Sequence, residues 1–125
     1  MPLIAAAHAR RTETPNARMT TLASPAQGGA ELVLWRVDME AGQTGPAHSM
    51  DVEQVWTVLA GGAGLELGEA CHELRPGDTV VIPATVPRRV HADPASGLTA
   101  IVGARPGGRA ALPDGSDRGV PPWTA

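Results

Sequence analysis

Phenylalanine and tyrosine are both absent from this chain of 125 residues, and its only aromatics are Trp35, Trp56 and Trp123. A hydrophobic core must therefore be built from Val, Leu, Ile, Ala and a few indoles. The lack of tyrosine also removes the phenol as a general acid or oxyanion donor. Cys71 is the single cysteine, which excludes an internal disulfide. It sits in Glu69-Ala70-Cys71-His72-Glu73, a short strand between two turns. Reactive thiols favour electropositive surroundings and these neighbours are acidic, so an inert strand cysteine is expected. No apolar run approaches the ~20 residues that a membrane-spanning helix needs. An excess of positive charge is also missing: the net charge is −3 and the pI near 5.7, which argues against a general nucleic-acid binder. The apolar stretch at the N-terminus is too short for a signal peptide, and Arg10 and Arg11 follow it instead of preceding it. A cytoplasmic protein with no membrane partner is expected, its first residues a disordered or loosely docked arm.

What is present is a series of short strands. Val33, Trp35, Val37 and Met39 alternate with Leu32, Leu34, Arg36 and Asp38, so residues 31–39 read as the first clear strand. A Gly/Pro turn region follows at 41–47. Further strands are predicted at 54–59, 64–67, 71–74, 79–82, 88–92 and 98–103, with a tight turn at Arg75-Pro76-Gly77-Asp78. Strands separated by turns, with no long helical period, predict an all-β double-sheet jelly roll in one domain. Residues 1–29 lack periodicity and read as an N-terminal arm and first edge segment, mostly loop. Residues 30–104 form the predicted barrel. Residues 105–125 form a Pro/Gly-rich tail whose Trp123 is expected to pack on the barrel or on a partner subunit, the stiff Pro121-Pro122 pair limiting the entropy lost on docking.

Two motifs lie in order within the barrel segment. Gly42, His48, Met50, Gln54 and Gly61 fall on the ruler Gly, five residues, His-x-His, three or four residues, Glu, six residues, Gly. Gly77, Asp78, Pro83, Thr85, Arg88 and Ala92 fall on the ruler Gly, five residues, Pro-x-Gly, two residues, His, three residues, Asn. In this spacing the chain resembles the cupin superfamily over roughly residues 30–103. The resemblance implies a jelly-roll β-barrel, the double-stranded β-helix, commonly paired as a homodimer. It also implies that positions 48, 50, 54 and 88 are those at which the family holds a metal. Here Met50 and Arg88 stand where the pattern has His, and Gln54 stands where it has Glu. Thr85 replaces the motif glycine and Ala92 the asparagine.

Strand parity decides what faces the barrel interior. Gln54, Trp56 and Val58 share one face, which by the resemblance is the cavity side, and Glu53, Val55 and Thr57 the other. Arg88 and Val90 face inward, Arg89 and His91 outward. Glu53 and His91 are thereby expected on the wrong side to replace the missing ligands. The candidate ligand-binding set is His48, Met50, Gln54, Trp56 and Arg88. One imidazole, one thioether, one neutral amide and one fixed cation make a poor site for a first-row divalent metal. No metal or other cofactor is expected, and His48 serves as a ligand only if the site is rearranged. A guanidinium inside an apolar barrel needs a partner: Arg88 either reaches the mouth of the barrel or meets a ligand anion. The reading that follows is a protein holding a small anionic or oxygen-rich organic molecule without a typical metal centre. The alternative is a metal-independent isomerase, lyase or cyclase with His48 as acid/base and Arg88 stabilising negative charge. A metal-dependent dioxygenase ranks third. The resemblance itself spans oxygenases, isomerases, decarboxylases, cyclases and ligand sensors, so it leaves the substrate open.

Overall fold

Alternating side chains build the central strands of a computed structural model that describes residues 2–125. Twelve strands follow in chain order: β1 (Arg10–Glu13), β2 (Arg18–Ala23), β3 (Val33–Met39), β4 (Ser49–Met50), β5 (Gln54–Gly61), β6 (Ala63–Leu67), β7 (Ala70–Leu74), β8 (Thr79–Ile82), β9 (Arg88–Ala92), β10 (Leu98–Ala104), β11 (Ala110–Ala111) and β12 (Asp117–Gly119). In β3 the odd positions are buried and the even ones are exposed or partly so. All strand pairs are antiparallel, in a six-stranded sheet ordered β1-β2-β3-β10-β5-β8 and two three-stranded sheets, β7-β6-β9 and β12-β11-β4. Isolated bridges Thr44↔His91 and His48↔Arg88 tie β9 to the chain entering β4, joining the smaller sheets into one layer. The result is a two-layer jelly roll. Val33, Val37, Val58, Leu65, Ile82 and Val102, each essentially without solvent exposure, fill the space between the layers.

Two glycines show what the motif spacing serves. Gly61 has φ +70°, and a Cβ there would lie 2.0 Å from the Gly97 carbonyl oxygen, inside any tolerable contact. Gly42 has φ +76° but open space around it, so it is the backbone angle alone that favours glycine.

The N-terminal segment departs from the sequence expectation. Residues 10–13 and 18–23 are not arm or loop but a hairpin that extends the large sheet beyond β3. Its strands lie at a sheet edge with Arg, Thr and Glu on the wet side, so the apolar alternation that marks buried strands is weak. Thr14 closes the turn, its Oγ1 accepting from the backbone N–H groups of Asn16 and Ala17. The tail returns to this hairpin. Thr21 Oγ1 donates to the Trp123 carbonyl at 2.7 Å and Ser24 Oγ to the Ala125 carbonyl at 2.6 Å, both from fully buried hydroxyls. The Trp123 side chain packs against the core of its own chain.

Among the described residues, no helix is long and apolar enough to cross a membrane. Cys71 is exposed on β7.

Candidate functional site

A cavity of about 310 Å³ opens between the layers. His48, Met50, Gln54, Trp56 and Arg88 all line it, brought together from the chain entering β4 and from β4, β5 and β9. The rest of the wall is almost entirely carbon. All three tryptophans face it, together with Met19, Met39, Val37 and Val90. The hairpin turn at 14–17 and tail residues Leu112, Pro121 and Trp123 complete the enclosure. Sequence reasoning missed these contributors. The tail tryptophan was the one local sign that this end of the chain packs inward.

Arg88 carries the charge of the site. It is 2% exposed, so it does not reach the barrel mouth. Its guanidinium is held by main-chain carbonyls: Nε and Nη2 donate to Val86 O at 3.3 and 2.9 Å, and Nη2 donates to Pro83 O at 3.2 Å. Nη1 makes a longer contact of 3.4 Å to Gln54 Oε1. A guanidinium has five N–H donors, so one on Nη1 is left over. No carboxylate lies within ion-pair distance of Arg88 among the described residues. Burial draws its pKa down to about 10, and it remains a cation at neutral pH.

The turn that supplies those carbonyls is strained. Thr85 has φ +69°, a left-handed conformation that a β-branched residue rarely adopts. Its N–H donates to the Met50 carbonyl at 2.7 Å, pinning the turn to β4. Where the family motif has glycine, this chain holds a left-handed backbone with a residue that resists it.

Gln54 is 5% exposed and locked. Its Oε1 accepts from Trp56 Nε1 at 3.1 Å as well as from Arg88. Both partners can only donate, so the amide orientation is fixed and Nε2 is the free end. That nitrogen has no protein acceptor, and it is not sealed off, since Arg10 Nε is the one fully sealed, unpaired side-chain atom among the described residues.

His48 pairs with Arg88 through two backbone hydrogen bonds, N–H to O at 3.0 and 2.8 Å. Its Nδ1 lies 2.9 Å from the Pro46 carbonyl. A carbonyl only accepts, so Nδ1 carries the hydrogen and the neutral ring keeps its lone pair on Nε2. The Pro46 contact is the orienting group that the sequence did not reveal. Burial pushes the imidazole pKa below its ordinary value; the Pro46 carbonyl opposes this and the Arg88 charge adds to it. His48 and Arg88 are the only titratable side chains among the described lining residues.

Glu53 is exposed immediately before β5. His91 also points away from the cavity, with Nδ1 3.1 Å from Thr44 Oγ1 and Nε2 paired with Glu66. Neither reaches the candidate site. Among the described residues, no group of three or more His, Cys, Asp or Glu is arranged to hold a metal ion. The polar set in the cavity comprises one free imidazole nitrogen, an amide oxygen already engaged twice, a thioether and a guanidinium. That set does not fit a divalent cation. All ten basic residues are arginine, so no lysine is present to form a Schiff base either.

The cupin domain model matches residues 35–101. Solved structures similar to this chain include the polyketide cyclase RemF from Streptomyces resistomycificus, at 22% identity and TM-score 0.71, over 84% of this chain and 79% of that one. A cupin 2 domain-containing protein from Halorhodospira halophila is similar at 23% identity and TM-score 0.69, over 75% and 68%. The DMSP lyase DddQ from Ruegeria pomeroyi DSS-3 is similar at 22% identity and TM-score 0.73, over 88% of this chain and 64% of that one. Comparison with curated proteins gives no match. At these identities the structural likenesses speak for the fold, while the domain model covers more than half of the sequence and includes both motifs: the chain belongs to the cupin superfamily.

Proposed function

We propose that the barrel binds a small, flat, mostly apolar organic molecule with one anionic or electron-rich oxygen, and does so without a metal ion. The observation that carries this reading is the buried Arg88 with no carboxylate beside it and one N–H to spare, next to the free amide of Gln54. An apolar pocket with a few convergent polar groups is the usual form of a small-molecule site. Both of these groups donate, which favours a ligand that accepts. The indoles and thioethers around them favour a flat apolar body.

A second reading is favoured by one further observation. His48 is held by Pro46 with its basic nitrogen free, beside a cation that can stabilise negative charge. This supports metal-independent proton-transfer chemistry, of the kind an isomerase, lyase or cyclase performs. The neighbours include proteins named as a polyketide cyclase and a DMSP lyase, which is compatible with it.

The test uses 2-naphthoate, a flat aromatic carboxylate, titrated into protein treated with chelator, with tryptophan fluorescence as the readout. Saturable quenching is expected, weakened about tenfold or more in Arg88→Met by loss of a charged hydrogen bond. Absence of saturable quenching, or equal affinity in folded Arg88→Met, contradicts the reading.

A further inference from the structure

Resting on the reading above, we infer that the molecule held in the barrel is an enolisable carbonyl compound, with Gln54 and Arg88 together holding its oxygen while His48 removes the neighbouring proton. The donor and acceptor inventory leads there. Counting the hydrogen bonds of His48, Gln54, Trp56 and Arg88 leaves two kinds of donor and one acceptor on these residues: the Gln54 amide N–H groups, the remaining Nη1 N–H of Arg88, and Nε2 of His48.

Two converging donors suit a single oxygen with two lone pairs. They do not suit a phosphate, whose other oxygens would face the carbon wall made by Trp35, Val37 and Met39. A lone acceptor beside a donor pair has work to do only where the ligand has a proton to give. A carbonyl with a hydrogen on the adjacent carbon meets both conditions.

The step balances without a cofactor or oxidant. His48 Nε2 takes the proton as the C–H bond breaks. The freed electron pair forms the C=C bond, and the carbonyl π pair moves onto oxygen. The resulting enolate oxygen is held by Gln54 and Arg88. Where a further C=C is conjugated with the enolate, return of the proton from His48 to the far carbon of that dienolate completes an isomerisation. Attack of the enolate carbon on a second carbonyl of the same molecule closes a ring, the π pair of that carbonyl moving onto its oxygen, which takes the proton back from His48. Preorganised donors in a water-poor site are the arrangement that stabilises a developing oxyanion most effectively. Trp56 acts as a positioning residue, since its indole N–H fixes which end of the Gln54 amide faces the ligand.

The experiment uses 2-tetralone, a flat two-ring ketone with exchangeable α-hydrogens. Affinity is read from tryptophan quenching. Exchange of the α-hydrogens in D2O is followed by NMR, on wild type, His48→Gln and Gln54→Glu, each checked for folding by circular dichroism. Wild type is expected to bind the ketone and to speed exchange at least about 100-fold over buffer. His48→Gln is expected to lose that acceleration while its affinity stays within about threefold. Gln54→Glu, which keeps the side-chain shape, is expected to lose both. Binding to wild type without accelerated exchange overturns this inference and leaves the binding reading standing. So does exchange that survives His48→Gln. Failure of wild type to bind either 2-tetralone or 2-naphthoate overturns the binding reading and this inference with it.

Discussion

Restoring the family's carboxylate by Gln54→Glu should stabilise the fold and abolish the site. The substitution is nearly isosteric, and an oxygen at the present Oε1 position would still accept from Trp56 Nε1 and Arg88 Nη1. Burial draws the Arg88 pKa well below its ordinary value, to about 10. At 1.36 kcal/mol per pK unit, burying that charge costs about 3 kcal/mol, and less where solvent screens it. A carboxylate oxygen 3.4 Å from Nη1 contributes about 5 kcal/mol at an effective dielectric near 20. Its own desolvation, several kcal/mol, opposes that. The balance is a gain of about 1 kcal/mol, visible as a rise of roughly 3–6 °C in Tm. Affinity moves the other way. The free amide donor becomes a negative oxygen facing the ligand's oxygen, a loss of roughly 3 kcal/mol or about 100-fold in Kd for 2-naphthoate. Thermal melts and fluorescence titration of the two proteins read both effects. A variant that binds 2-naphthoate as tightly as wild type refutes the donor site. One that melts lower refutes the idea that Arg88 lacks a counter-charge.

Three further outcomes follow from the geometry. Gly61→Ala should lose about 3 kcal/mol or more in urea denaturation, because its Cβ would lie 2.0 Å from the Gly97 carbonyl oxygen at φ +70°; a loss below about 1 kcal/mol refutes that close approach. Thr85→Gly should gain about 0.5–1 kcal/mol, the relief of left-handed strain exceeding glycine's extra unfolded-state entropy; a destabilised variant shows that the Thr85 side chain matters more than its strain. His48 is held below its ordinary pKa of 6.5, so its contribution to stability is full above that value. As pH falls, the unfolded chain takes up a proton that the folded site resists, and the contribution is lost on the way down through the depressed folded value. His48→Gln should flatten this acid-side slope in melts recorded against pH, and an unchanged slope contradicts the assignment.

The jelly roll was legible because its signals are local. Alternation across 33–39 and two spaced motifs mark central strands and the turns that need glycine. Parity made legible that Gln54 shares a face with Trp56, and Arg88 with Val90; the places of His48 and Met50, and which face is the cavity side, came from the motif resemblance. The first hairpin was hidden because edge strands bury one side lightly and carry little apolar period. The groups that hold Arg88 and His48 were hidden because they are backbone carbonyls. Pro83, Val86 and Pro46 act through oxygens that every residue possesses, aimed by turns whose angles no side chain announces. The closing of the cavity by the turn at 14–17 and by the tail is a contact across most of the chain length; Trp123 in its Pro-rich tail was its one local sign, and the turn left none.

The central claim is that the polar end of this barrel recognises an oxygen through nitrogen donors instead of through a metal. The direct test is to purify the protein without an affinity tag, treat it with chelator, and measure transition-metal content by mass spectrometry on the sample then titrated with 2-naphthoate. The account predicts saturable binding with metal below about a tenth of an equivalent, unchanged when divalent ions are added back. Binding that disappears with chelation and returns with stoichiometric metal would contradict it.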